Sequence, residues 1–197
     1  GLAITTGIRN TMVGQAGYGF DTENDNLAIG HAALAGSVAG GEYNIAIGNY
    51  SLDALTSGDN NVAIGYYAGT AVTTGGHNTL IGEKAGLALT TGYMNTYLGR
   101  HAGYTATEGN QNTGVGVYAL YSSVGANYYN SALGYLAGHD ITTGDNNLML
   151  GKEAGRSSSP SGSVTTADNQ VCLGDDNITA IFCADTSISS SDKRDKT

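Results

Sequence analysis

Tryptophan is missing from this chain, proline occurs once, at Pro160, and only 8 of the 197 residues are Lys or Arg. Against these stand 17 Asp and Glu, for a formal net charge of −9. A phosphate backbone needs a basic face, so nucleic acid is not an expected partner. Anionic lipid gains nothing either, and no apolar run approaches the ~18 residues of a membrane span, so membrane insertion is not expected. The two cysteines, Cys172 and Cys183, lack the spacing of a zinc site. A disulfide between them is open, and two free thiols are the simpler expectation. The four histidines, His31, His77, His101 and His139, form no H-x-x-x-H pair, and they read as exposed turn residues. No metal or cofactor is expected. No heptad pattern marks a coiled-coil stalk.

What the chain has in excess is glycine, with 31 residues. They do not fall every third residue, which excludes collagen. Hydrophobic residues make up 40%, too many for a disordered chain. The glycines mark a repeat. "NTMVG" at 10–14 opens a series that runs through "NLAIG", "NIAIG", "NVAIG", "NTLIG", "NTYLG", "NTGVG", "NSALG" and "NLMLG". Its closing glycines are Gly14, Gly30, Gly48, Gly65, Gly82, Gly99, Gly116, Gly134 and Gly151, spaced by 16, 18, 17, 17, 17, 17, 18 and 17 residues. "NQVCLG" at 169–174 is a degenerate later copy.

The residue before each glycine is large and aliphatic, the one two places earlier is mostly aliphatic or β-branched, and the one between is often alanine. That is period two, hence a short strand. A small residue follows three places after the glycine, then a second apolar stretch, then a Gly- and Asn-rich turn suited to positive φ. Such a unit predicts two strands of about five residues and two turns. It is too short for a propeller blade or a helical hairpin. The fold class is therefore all-β: a parallel β-roll or β-solenoid, left- or right-handed, with coils of about 17 residues. The repeated asparagines, from Asn26 to Asn147, should form an amide ladder at one corner. Stacking should bring Glu83 beside Arg100.

A flat coil with an apolar strand wants cover on both sides, and the row of residues before the glycine is expected inside the resulting stack. Three copies on a common axis would supply the cover, so the expected assembly is a homotrimer; a monomeric parallel β-helix is the competing architecture. The organisation reads as a repeat array over 1–155, a Ser/Gly/Pro loop or linker over 156–168, a terminal β cap over 169–188 and a processing segment over 189–197. Tyrosines at turns and strand edges, among them Tyr66, Tyr67, Tyr93, Tyr128 and Tyr129, are candidates for receptor contact through their aromatic faces. Packing across a seam between chains is the alternative for them. No pair of acids recurs as a glycosidase dyad would.

The repeat over about 10–155 resembles the heads of trimeric autotransporter adhesins, and more closely the repeat arrays of bacteriophage tail fibres and other virion appendages. The tail "SDKRDKT" at 191–197 is similar to the S-D-x-R-x-K-T signature that opens the C-terminal intramolecular chaperone of phage tail fibres and tailspikes. The resemblance implies a fibre of two further identical chains beside this one, exposed on the virion and outside the cell, which binds a glycan or protein of the host surface. It implies self-cleavage between Ser191 and Asp192, with Ser191 as nucleophile, Lys196 as base and Arg194 in support, and a helical chaperone body encoded beyond Thr197. A serine hydroxyl can attack a neighbouring carbonyl if a lysine in a dry pocket takes its proton. No multiple-turnover activity is expected. A bacterial adhesin head and a polysaccharide-degrading tailspike are the alternatives.

Overall fold

The structure, a computed structural model, describes residues 7–17, 23–36 and 40–180. Ten strands occur among them: β1 (Thr11–Val13), β2 (Leu27–Ile29), β3 (Ile45–Ile47), β4 (Val62–Ile64), β5 (Thr79–Ile81), β6 (Thr96–Leu98), β7 (Thr113–Val115), β8 (Ser131–Leu133), β9 (Leu148–Leu150) and β10 (Val171–Leu173). They form one parallel sheet in sequence order. The register carries each repeat onto the next, as in Ala46 on Ala63 and Ile47 on Ile64. This is a parallel β-solenoid with coils of about 17 residues. At ~4.8 Å per strand the sheet runs roughly 43 Å.

The expected second strand does not form. Each coil carries a single three-residue strand, and the rest is a succession of turns. The cause is backbone conformation. Besides the repeat glycines, the residue two places after each glycine from Gly30 to Gly151 is left-handed, as at Tyr67, Lys84 and His101 with φ of 57°. The residue before each repeated asparagine is left-handed too, as at Asn60 and His77. Left-handed backbone costs a non-glycine residue about 1–2 kcal/mol. Stacking offsets it, because each N–H meets a carbonyl of the coil before: Lys84 N donates to Tyr66 O at 2.8 Å and His101 N to Glu83 O at 2.9 Å. At the repeat glycine itself, Gly65 has φ +140°, and a Cβ there would strike the Gly82 carbonyl. Only glycine allows that approach.

The strand faces are the reverse of the expected arrangement. The middle residue points into the coil: Ala28, Ala46, Ala63, Leu80, Tyr97 and Met149 are fully buried. The aliphatic residues on either side point away from the coil. Among them Val13, Leu98, Leu133, Leu150 and Leu173 are exposed, and Ile29, Ile47, Ile64 and Ile81 are half-buried. The interior is narrow. It holds the strand's middle residue and the residues three, four and seven places after the glycine. These places compensate for one another. Where the strand offers Leu80, Tyr97 or Met149, the place four after the glycine is Gly86, Gly103 or Gly155; where it offers Ala46 or Gly114, that place is Leu52 or Leu120. The exceptions are Ala63 with Gly69 and Ala132 with Gly138, small at both places; there Leu52 and Leu80, and Leu120, reach over from the adjacent coils, as close packing demands.

The asparagine ladder forms as expected and runs through the buried corner. Asn61 donates from both N and Nδ2 to Asn44 Oδ1, at 2.9 and 3.1 Å, and its Nδ2 also reaches Gly75 O at 2.9 Å. Asn78 repeats the pattern on Asn61 Oδ1 at 3.1 and 3.0 Å. The ladder satisfies every member inside a dry corner. It ends at Gln170, whose N–H still bonds Asn147 Oδ1 at 2.8 Å while its amide turns out to Asp168 O. The stretch after Arg156 folds back on the stack, with Val164 N bonded to Gly155 O at 2.8 Å and Ser159 and Val164 buried.

Candidate functional surface

Three surfaces follow from this fold. The first is the outward strand face. Its column before the repeat glycine is aliphatic in all ten strands, from Val13 to Leu173. Its other column is aliphatic at Leu27, Ile45 and Val62 and again at Leu148 and Val171, and hydroxylated at Thr11 and, in the middle, at Thr79, Thr96, Thr113 and Ser131. The second surface is the pair of margins that flank this face: the two residues before each repeated asparagine, and the residue after each glycine. Every large apolar side chain that is exposed among the described residues lies on the strand face or a margin, except Val124 and Ile178. Exposed apolar atoms are ordinarily scattered. Here they are gathered on one side.

The third surface adjoins the margin after the glycine and is aromatic. Tyr50 and Tyr67 stack at 4.8 Å between ring centroids, with planes 8° apart, and Tyr66 meets Tyr67 edge-on at 4.3 Å. The Tyr67 phenol pKa is raised, first by its bond with the Tyr66 hydroxyl and then by burial. Farther along, Tyr104, Tyr121 and His139 form a column at 5.0 Å spacing with planes within 5° of parallel. His101 and Tyr118 lean against it. Sequence reasoning missed this column. The signal was there: all three stand five places after a repeat glycine, Gly99, Gly116 and Gly134.

The five candidate tyrosines do not converge. Tyr66 and Tyr67 belong to the first aromatic cluster. Tyr93, Tyr128 and Tyr129 lie on the opposite margin, where Tyr128 and Tyr129 are neighbours at 6.1 Å. Tyr93 is apart from both, its N–H bonded to Asn110 Oδ1 at 2.8 Å. Ser191, Asp192, Arg194, Lys196 and Cys183 lie outside the described residues. Cys172 is a free, buried thiol, bonded to Ser161 Oγ at 3.2 Å.

Charged groups on this side pair locally. Arg100 reaches Glu83 at 3.3 Å, the expected stacking partner, and donates to the Tyr118 hydroxyl at 2.8 Å. Lys152 Nζ bonds Asp175 at 2.9 Å and holds that carboxyl below the usual range. Asp140 accepts from Ser163 Oγ and meets His139 Nδ1, both at 2.7 Å. Burial pushes the Asp140 carboxyl up, yet these bonds leave it below its ordinary value. The serine sits on the acid and not on the imidazole, so this is no Ser–His–Asp relay. Among the described residues no three His, Cys, Asp or Glu gather as a metal site, and no helix is long and apolar enough to cross a membrane. An apolar hollow of about 340 Å³ at the end of the stack is lined by Leu150, Leu173, Ile178 and Ala180, beside the Lys152–Asp175 pair. Comparison of the chain with protein-family models, with curated proteins and with solved structures finds no match.

Proposed function

We propose that this chain is a segment of a homotrimeric fibre of the bacteriophage tail-fibre kind, carried outside the cell on a virion, which attaches to a glycan or protein of a host surface. The observation that carries the reading is the outward strand face, an unbroken aliphatic column the length of the solenoid. A lone chain leaves it in water, at a cost of about 25 cal/mol per Å² of apolar area. Two further copies around a common axis cover it in all three chains at once. A stacked rod that touches only its neighbours suits a fibre, which needs length and stiffness. The aromatic surface beside it offers ring edges and hydroxyls for host contact.

Maturation by hydrolysis of the Ser191–Asp192 bond belongs to this reading and rests on the resemblance of the tail. The tests are direct. Sedimentation should give three chains and a frictional ratio well above that of a compact particle, and a stable folded monomer at micromolar concentration overturns the assembly. With the gene extended beyond Thr197, intact mass should show a chain ending at Ser191, and Ser191→Ala should stay uncut. A Ser191→Ala chain that still cuts at this bond removes the proposed nucleophile. On a glycan array, labelled protein should bind, and Tyr104→Ala with Tyr121→Ala should weaken it; binding unchanged by both places the contact elsewhere.

A further inference from the structure

Two pairs of tyrosines on the aromatic surface are related by one step of the stack. Tyr50 and Tyr67 hold the same place in successive coils, as do Tyr104 and Tyr121, 17 residues apart in each case. The stack lays one ring over the other, at 4.8 Å and 8° for the first pair and 5.0 Å and 5° for the second. Parallel rings one coil apart set the carbons ortho to one hydroxyl beside those ortho to the other. All four residues are half-buried, so the coils fix the spacing of the rings while leaving them partly open to solvent. The exposed Tyr66 stands edge-on to Tyr67 at 4.3 Å. Other groups that would draw off an oxidising equivalent are few. The chain has no tryptophan. The Cys172 thiol is buried and bonded to Ser161, out of reach of an oxidant in solution.

We propose that Tyr50–Tyr67 and Tyr104–Tyr121 are oxidative cross-linking sites, joined as dityrosine by hydrogen peroxide acting through a peroxidase. Each phenol gives up one electron and its hydroxyl proton. The two phenoxyl radicals join by a carbon–carbon bond at their ortho positions. The ring hydrogens at the new bond then move to the oxygens, which restores both phenols. Two electrons and two protons leave per link, and one peroxide takes them to become two molecules of water. Each link is a covalent rung between successive coils, which are otherwise held to one another by hydrogen bonds and packing. Tyr66 feeds the first pair, since it meets the oxidant and touches Tyr67. The proposal goes beyond the fibre reading and does not depend on it.

Treatment of the folded full chain with hydrogen peroxide and a haem peroxidase, in dilute solution, tests it. Intact mass should fall by two hydrogens per link, with dityrosine fluorescence, and peptide mass spectrometry should place the links at 50–67 and 104–121. Tyr43, Tyr93 and Tyr135 touch no other aromatic ring among the described residues and should stay unlinked. Tyr50→Phe should abolish the first link and keep the second, and Tyr121→Phe the reverse, both with the circular dichroism of the wild type. In urea the same treatment should scatter the links over other pairs. Tyrosines oxidised without these two links, links chiefly through Tyr43, Tyr93 or Tyr135, or the same preference in the unfolded chain overturns the proposal and leaves the fibre reading intact. A monomer that forms both links overturns the fibre reading alone.

Discussion

Tyr97 lies across Gly103: a Cβ on that glycine would come within 2.5 Å of the tyrosine ring. Gly103 also has φ +59°. One residue thus meets two demands, room for the largest side chain of the interior and a left-handed backbone. The ring is fully enclosed, and its hydroxyl has no hydrogen bond. The nearby Asn112 amide is engaged by Asn95 and Asn127. Burial pushes the Tyr97 phenol up.

Gly103→Ala should therefore destabilise by about 2–4 kcal/mol, from left-handed strain and overpacking together. Tyr97→Ala should cost about 3–5 kcal/mol through the cavity. Tyr97→Ala with Gly103→Leu recreates the arrangement of Ala46 and Leu52, and should cost clearly less than the sum of its parts. Denaturant midpoints of the four proteins measure the coupling. Additive costs would show that the two places do not share one volume.

Asn95 is fully buried in the ladder. Asn95→Ala leaves Gly109 O without its donor and the N–H of Asn112 without its acceptor, at about 2–3 kcal/mol. Asn95→Asp should be worse at neutral pH, because a carboxylate cannot donate to Gly109 O or Asn78 Oδ1. Buried against acceptors, its pKa rises, so the variant should recover stability as pH falls and the acid gains a proton. Urea melts at pH 7 and pH 4 decide it; a variant equally unstable at both is against the ladder.

The faces of one strand make a sharp contrast. Ala63→Asp puts a carboxylate into the fully buried interior, at several kcal/mol, and should prevent folding. Ile64→Asp sits one residue on and faces outward. It should keep the circular dichroism of the wild type and sediment as a monomer. If Ile64→Asp trimers form normally, the strand face is not the seam.

Acid should act at two stages. Burial, above all, holds the His101 imidazole below its ordinary value. The unfolded chain takes up that proton first, near pH ~6.5. The stability gained by the neutral ring is thus present above pH ~6.5 and lost as pH falls. His101→Phe should flatten the dependence between pH ~5 and ~7. The second stage is the carboxylates. Asp175, through its bonds from Lys152 and Asn177, and Asp25, through Arg9, are held below the usual range. Their contribution is present above pH ~4 and lost as pH falls through the lowered values. Thermal midpoints against pH should show both steps, with only the upper one removed by His101→Phe.

The sequence by itself determined the period, the place of the one strand that each coil forms and the stacking register. Those follow from the repeat N-x-A-I-G, because equal spacing lets only like residues lie over one another, as Glu83 lies beside Arg100. The asparagine ladder was legible for the same reason. Two things were decided only by the tertiary structure. Period two shows that Ile64 and Ala63 occupy opposite faces, but not which face is inside. The narrow coil settles that, since its interior is already filled by the residues three, four and seven places after the glycine, by the asparagine, and by one strand residue per coil. The apolar places after the glycine looked like a second strand. They are turns, because Leu52 and Leu120 reach the interior from left-handed backbone, which alternation along a sequence does not reveal. The Tyr104–Tyr121–His139 column likewise exists only once the stack places residues 17 and 18 apart in the sequence, from three successive coils, 5.0 Å from one another.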